Sequence, residues 1–349
     1  MTVDVSRLAR SRSLTLPGGF ALDTPLLIPS FSSRGFPFTG SPGAKVSQLS
    51  EVLEVAKDWI TEVLLVSAYD LFYGHMPGRE ALTTHPEGDP YGAPQLVLID
   101  SGCYEANEHV ELPDVRRAAI EIQDWTRDLH KQVLDGCHAD LPLAIVSYDS
   151  HEGIGEQIAR ARELFDRYPA FLHDFLLKPE GEATHIKPEV IAASAERLRG
   201  FDIIGMTEKE LGSSLLDRMT TIARVRTALD DARVDVPLHI FGSLDPILSP
   251  LYFIAGAEIF DGLSWLYMAY HEGVAVYSEA AAALGGHWSD KPARRQGIQL
   301  NNNLTAITDL SLAMQRFLSS GRDFAQLGQH AEVFRRGADN LVARVERPR

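Results

Sequence analysis

Eight short apolar runs, each followed by helix-forming sequence, constrain what this chain can fold into more than any other feature. The runs are TPLLIPSFS (24–32), VLLVSAYD (63–70), QLVLID (95–100), PLAIVSYD (142–149), HDFLLKPEG with its turn (173–181), FDIIGM (201–206), Leu238–Gly242 and a short run that ends on Asp261. Helical periodicity or helix punctuation fills the gaps: 47–59 repeats apolar residues at Leu49, Val52, Val55 and Trp59, 113–136 has Pro in front and Gly behind, and 153–168, 188–200 and 211–232 read as helices. No hairpin turn chemistry joins the runs. Repeated strand-then-helix units of this number are expected to close as an α/β (β/α)8 TIM barrel. A doubly wound open sheet is the structural alternative, but it would want a glycine-rich first turn, which the chain lacks.

The expected organisation is a single domain: an N-terminal extension (1–23), the barrel strands and helices (24–261), and a region after the eighth strand (262–349) that ends in two amphipathic helices, about 301–319 and 322–345. The segment 71–94 is rich in Gly, Pro and His with little periodicity, which makes it a lid candidate. No apolar run approaches the roughly 20 residues that span a bilayer, and the N-terminus lacks a secretory pattern, so a cytoplasmic protein without membrane contact is expected. A net charge of −15 argues against a broad, non-specific grip on nucleic acid, though local basic clusters such as Lys291, Arg294 and Arg295 remain. Cys103 and Cys137 are too few for a Cys-rich zinc site and read as reduced thiols.

Barrel active sites lie at the C-terminal face of the strands. In this chain that face carries Asp70, Asp100, Asp149, Glu180, Glu208 or Glu210, and Asp261. Any one of them could serve only as a helix cap. Two carboxylates facing each other across a pocket suit chemistry at a sugar's anomeric carbon, one attacking and the other moving a proton on and off the leaving group.

The ordered motifs resemble those of the tRNA-guanine transglycosylases and their archaeal and DNA-modifying relatives. Asp100-Ser101-Gly102-Cys103-Tyr104-Glu105 is similar to the family's Asp-Ser-Gly-x-(Phe/Tyr)-Gln turn, and Ser147-Tyr148-Asp149 to its strand ending in Phe-Asp. Gly205-Met206-Thr207-Glu208-Lys209-Glu210 resembles the Gly-Leu-Ala-Val-Gly-Glu turn loosely, and Gly256-Ala257-Glu258-Ile259-Phe260-Asp261 resembles the segment that ends on the nucleophile. The resemblance runs through nearly the whole chain in order. It implies Asp261 as the nucleophile of a covalent glycosyl-enzyme and Asp100 as the general acid/base. It implies that Asp149 reads the base's edge, that Gly205 and Met206 offer backbone groups to the base, that Tyr104 stacks on it, and that Ser101 and Glu180 line the same pocket.

The departures matter too. The family's zinc motif is missing, since 262–299 holds no cysteine, so no metal and no cofactor are expected. The Pro-Thr-Arg after the nucleophile is replaced by Leu263-Ser264-Trp265, and two family glutamines appear as Glu105 and Glu180. An ionised carboxylate can only accept hydrogen bonds, so these two changes suggest a base richer in donors than guanine. The implied partners are tRNA or DNA and a purine or 7-deazapurine base, and a homodimer is expected from the resemblance. Two rival readings stand beside this one: a non-catalytic partner subunit, and a barrel enzyme acting on free nucleosides.

Overall fold

In a computed structural model, residues 3–16, 19–34, 36, 38–39, 46–60, 62–78, 94–107, 122–139 and 141–346 are described. Eight parallel strands close into a barrel. They are β1 (Leu26–Phe31), β2 (Val63–Ser67), β3 (Leu96–Asp100), β4 (Leu143–Val146), β5 (Leu172–Leu177), β6 (Ile203–Thr207), β7 (Leu238–Phe241) and β8 (Ile259–Gly262). Each pairs in parallel with the next, and β8 closes on β1 through Asp261 opposite Ile28. The expected TIM barrel is therefore the observed fold.

Burial on both faces explains why the strands read as unbroken apolar runs. Leu26 and Ile28, Val63 and Leu65, Leu96 and Leu98, Ala144 and Val146, and Leu172 and Leu176 pack together inside. The residues between them, such as Leu64, Val97, Ile145, Phe175 and Ile240, belong to the layer beneath the helices. The principal helices are α1 (Gln48–Ala56), α2 (Arg127–Asp135), α3 (Ile154–Phe165), α4 (Pro188–Ser194), α5 (Leu215–Asp231), α6 (Leu248–Ile254), α7 (Pro292–Ser319) and α8 (Ala331–Glu346).

The N-terminal extension is the barrel's floor. Ser13–Thr15 and Ala21–Asp23 pair antiparallel, and Leu14, Leu16 and Leu22 join the inner cluster. A buried ionic knot lies beside them. Glu258, fully buried, meets Arg12, while Arg10 bonds Asp230 at 2.6 Å. Arg226 is also fully buried and donates to the carbonyls of Val236 (2.6 Å) and Val234 (3.0 Å).

Several boundaries differ from the sequence reading; the helix read over 188–200, for one, is α-helical only over Pro188–Ser194 and continues as a 3-10 turn to Leu198. The run 63–70 stops as a strand at Ser67, because Ala68–Phe72 turns into a short helix. The run 142–149 stops at Val146, where the Ser147 hydroxyl accepts the Leu176 N–H (3.0 Å) in place of a backbone carbonyl. In the final region α7 starts at Pro292, and Asp323 caps a 3-10 turn (Phe324–Leu327) that separates it from α8. Most of the lid candidate (79–93) and the first part of the helix expected over 113–136 lie outside the described residues; its last part is α2, capped by Thr126. Among the described residues no helix is long and apolar enough to cross a membrane.

Within the region after β8, a buried amide ties α7 to the turn that follows the strand, and the Trp265 indole N–H joins that turn to the barrel by donating to the Ser30 carbonyl at 3.0 Å. Asn303 on α7, fully buried, donates to the carbonyls of Trp265 (2.6 Å) and Met268 (2.7 Å) and accepts the Tyr270 N–H (2.7 Å).

The ionic knot beneath the barrel makes a stability prediction. Arg226→Met leaves two carbonyls unpaired and Glu258 with one cation fewer. Truncating one member of a buried charge network costs about 3 kcal/mol. Urea unfolding should show a lower midpoint at an unchanged slope.

Candidate active site

Asp100 ends β3, and the turn after it is tight. Gly102 has φ +83°, and a Cβ there would stand 2.8 Å from the Tyr69 nitrogen and 2.9 Å from the Trp125 ring. The turn therefore needs glycine, and Trp125 closes over it by donating to the Ser101 carbonyl at 2.8 Å. Asp100 accepts the Gly102 N–H at 3.3 Å. Burial first, then the facing carboxylates of Asp149 and Asp261, push its carboxyl up to about 7.

Asp261 lies one residue before the end of β8, which runs to Gly262, and is surrounded by donors. Its Oδ2 accepts the Ser30 hydroxyl at 2.7 Å, and its Oδ1 accepts the Gly242 N–H at 3.1 Å. His239 Nε2 lies 3.2 Å from the same Oδ1, a charge contact whose angle falls short of a hydrogen bond. On its other side His239 Nδ1 meets Asp174 Oδ2 at 2.7 Å, and both residues are fully buried. Burial alone would drive the imidazole down; the Asp174 carboxylate, with Asp261, raises it to about 9. Burial pushes Asp174 upward against the pull of His239. Gly205 leaves room for this pair, since a Cβ there would come within 2.5 Å of the Phe241 ring and 2.8 Å of Asp174 Oδ1.

A third cluster occupies the β4–β6 side. Lys178 Nζ lies 3.0 Å from Asp149 Oδ2 and 2.8 Å from Glu210 Oε1. Burial disfavours the ammonium, but the two carboxylates win and raise it above the ordinary lysine value. Asp149 also accepts the Ser101 hydroxyl at 2.8 Å. Burial pushes Asp149 up, yet Lys178 and these donors hold it below the usual carboxylate range.

The structure thus gathers Asp100, Ser101, Asp149 and Asp261 at one mouth, with Tyr104 on the adjoining turn and 38% exposed. Other candidates are occupied differently. Gly205 and Met206 sit inside the ladder, paired with β5 and β7, and the Met206 side chain packs in the outer layer. Glu180 Oε1 caps α3 by accepting the Ile154 N–H at 2.7 Å. Glu105 is buried and accepts the hydroxyls of Ser32 and Ser67, its carboxyl raised by burial and by Asp70. Glu105 thus engages both of its oxygens and Glu180 one of its two in contacts within the protein. Asp70 is an anchor, accepting the Ser33 N–H (2.7 Å) and hydroxyl and facing His75 at 2.9 Å. Glu208 is tied to Tyr252 (2.6 Å) and Arg218 (2.8 Å), which leaves Glu210 as the acid at the mouth.

Sequence reasoning passed over Lys178, Asp174, His239 and Ser30. The signal was available for the β5 pair. In LHDFLLK, residues 172, 174, 176 and 178 share one strand face, so Asp174 and Lys178 point with Leu172 and Leu176 toward the axis.

Compared with known proteins, the chain matches no family model and no curated relative.

The raised Asp100 carboxyl has a linkage consequence. Between about pH 4 and 7 the folded chain holds a proton that the unfolded chain has released, so this group's contribution to stability falls as pH rises across that window. Asp100→Asn removes the dependence. The stability difference between variant and wild type, read by urea unfolding, should move in the variant's favour from pH 4 to 7 and be flat above.

Proposed function

We propose that this mouth exchanges a purine or 7-deazapurine base in tRNA or DNA through a glycosyl ester on Asp261. The observation that carries the reading is the unlike setting of the two strand-end carboxylates. Asp100 is pushed up to about 7, where a carboxyl still holds a proton for a leaving base. Asp261 is supplied with donors from Ser30 and Gly242, the setting of an attacking carboxylate. The ordered likeness to the transglycosylases supports the same assignment.

In this mechanism an Asp261 oxygen forms a bond to C1′ as the C1′–N bond breaks. The electron pair leaves with the base, which takes the Asp100 proton. In the return half, the incoming base attacks C1′ and yields its proton to the Asp100 carboxylate, and the ester electrons return to Asp261. Asp149 and Glu210 would accept from the base's N–H groups, Lys178 would donate to a ring carbonyl, and Tyr104 would cover the ring.

The test is base exchange with labelled guanine or deazaguanine and either tRNA or duplex DNA. Label should enter one polymer. Asp261→Asn should abolish it, and Asp100→Asn should lower the rate by about 10²–10⁴-fold. Adduct formation should fall about tenfold per pH unit above about pH 7, as Asp100 loses its proton. A denaturation-resistant adduct without label would keep the chemistry and change the incoming base. Neither label nor adduct would overturn the reading in favour of a free-nucleoside enzyme or a partner subunit.

A further inference from the structure

Beneath the mouth, an imidazole stands between two carboxylates. His239 on β7 has Asp174 on β5 at 2.7 Å from Nδ1 and Asp261 on β8 at 3.2 Å from Nε2. Phe241 covers the imidazole, its ring centroid 3.8 Å away, and Gly205 on β6 opens the space. The titratable groups facing His239 are Asp174 and Asp261. A buried Asp–His pair of this kind is costly unless it is charged and matched, and the nearer carboxylate sits on the side away from the mouth.

We propose that His239, braced by Asp174, is the positioning residue that makes Asp261 a ready leaving group, so that the glycosyl-enzyme turns over. The inference rests on the transglycosylase reading. Gly242 and His239 both address Oδ1, while among the described residues Oδ2 receives the Ser30 hydroxyl alone, which leaves a lone pair on Oδ2 for C1′. When the ester forms, Asp261 loses its charge and the imidazolium keeps Asp174 as its only counterion. When the ester breaks, the electron pair returns to Asp261 and regains the imidazolium as a neighbour. The charge contact therefore favours breakdown over persistence. Its high affinity for a proton keeps the imidazole charged at neutral pH, since it is raised to about 9.

The experiment follows adduct formation and decay separately by rapid quench, using a polymer that the wild type modifies. His239→Gln keeps an amide donor and removes the charge. It should leave adduct formation within about threefold of wild type and slow decay about ten- to a hundredfold, the range for loss of one charged contact. Wild-type decay should hold between about pH 7 and 9 and fall above, as His239 loses its proton; in His239→Gln that fall should be absent. Asp174→Asn should slow decay in the same sense. A role in folding alone would lower formation and decay together and leave the pH profile unmoved, which overturns the proposal.

Histidine-labelled wild type supplies a readout free of turnover. The His239 ring should be doubly protonated at pH 8 by NMR, and a neutral ring there overturns the proposal. A wild type with neither exchange nor adduct overturns the transglycosylase reading beneath it. An active wild type whose His239→Gln variant decays normally overturns this inference alone.

Discussion

Closing a parallel sheet into a barrel leaves each strand with no solvent face, and every other feature of this molecule follows from that. Outward positions pack under helices and inward positions pack on each other, so any polar side chain that points inward must find its partner inside. Most inward positions obey by being apolar, from the floor of Leu14, Leu16 and Leu22 to Leu65, Leu98 and Leu176. The inward polar residues Ser30, Ser67, Asp174, His239 and Asp261 are all buried, and their hydrogen bonds are to one another and to the adjoining turns. Polar groups here are the exception: Ser30, Ser67 and Asp261 stand toward the strand C-termini, and Asp174 and His239 lie deeper behind them.

The barrel was legible because burial on both faces writes itself as uninterrupted apolar runs, and eight such runs alternating with helices leave few alternatives. The acids were legible as an inventory but not as roles. Asp70 looked like a strand-end acid, yet the chain turns helical at Ala68 and aims the carboxylate at the Ser33 backbone. Glu180 lies three residues beyond the end of β5, far enough to swing sideways and cap α3. A shift of one or two residues decides between facing the axis and capping a helix, and no local pattern records it. His239 was harder still. Its partner Asp174 is 65 residues away, and only barrel closure brings them together.

Burial and ionisation pull against each other at Asp100. A folded protein gains nothing from a carboxyl whose ionisation is opposed by burial and by two facing acids, so its retention at a strand end is paid for by the apolar layers and the ionic knot below. The floor hairpin is then more than a plug. Through Arg10 and Arg12 it is tied to Asp230 and Glu258 at the end of the barrel opposite the mouth.

Which acid holds a proton follows from where the cations stand. Asp149 and Glu210 share Lys178, and Asp261 has His239 beside it, itself matched by Asp174. Among the described residues that act on it, Asp100 has backbone N–H groups and opposing carboxylates, but no cation. Backbone dipoles offset only part of the cost of ionising a buried carboxyl between like charges, so the proton settles there. Moving a cation would move the proton. A lysine at the end of β3 would ionise Asp100, whereas loss of Lys178 would take from Asp149 the ammonium that offsets its burial. The proton on Asp100 is therefore a property of the whole ring of strand ends, set by where Lys178 and His239 stand as much as by the aspartate itself.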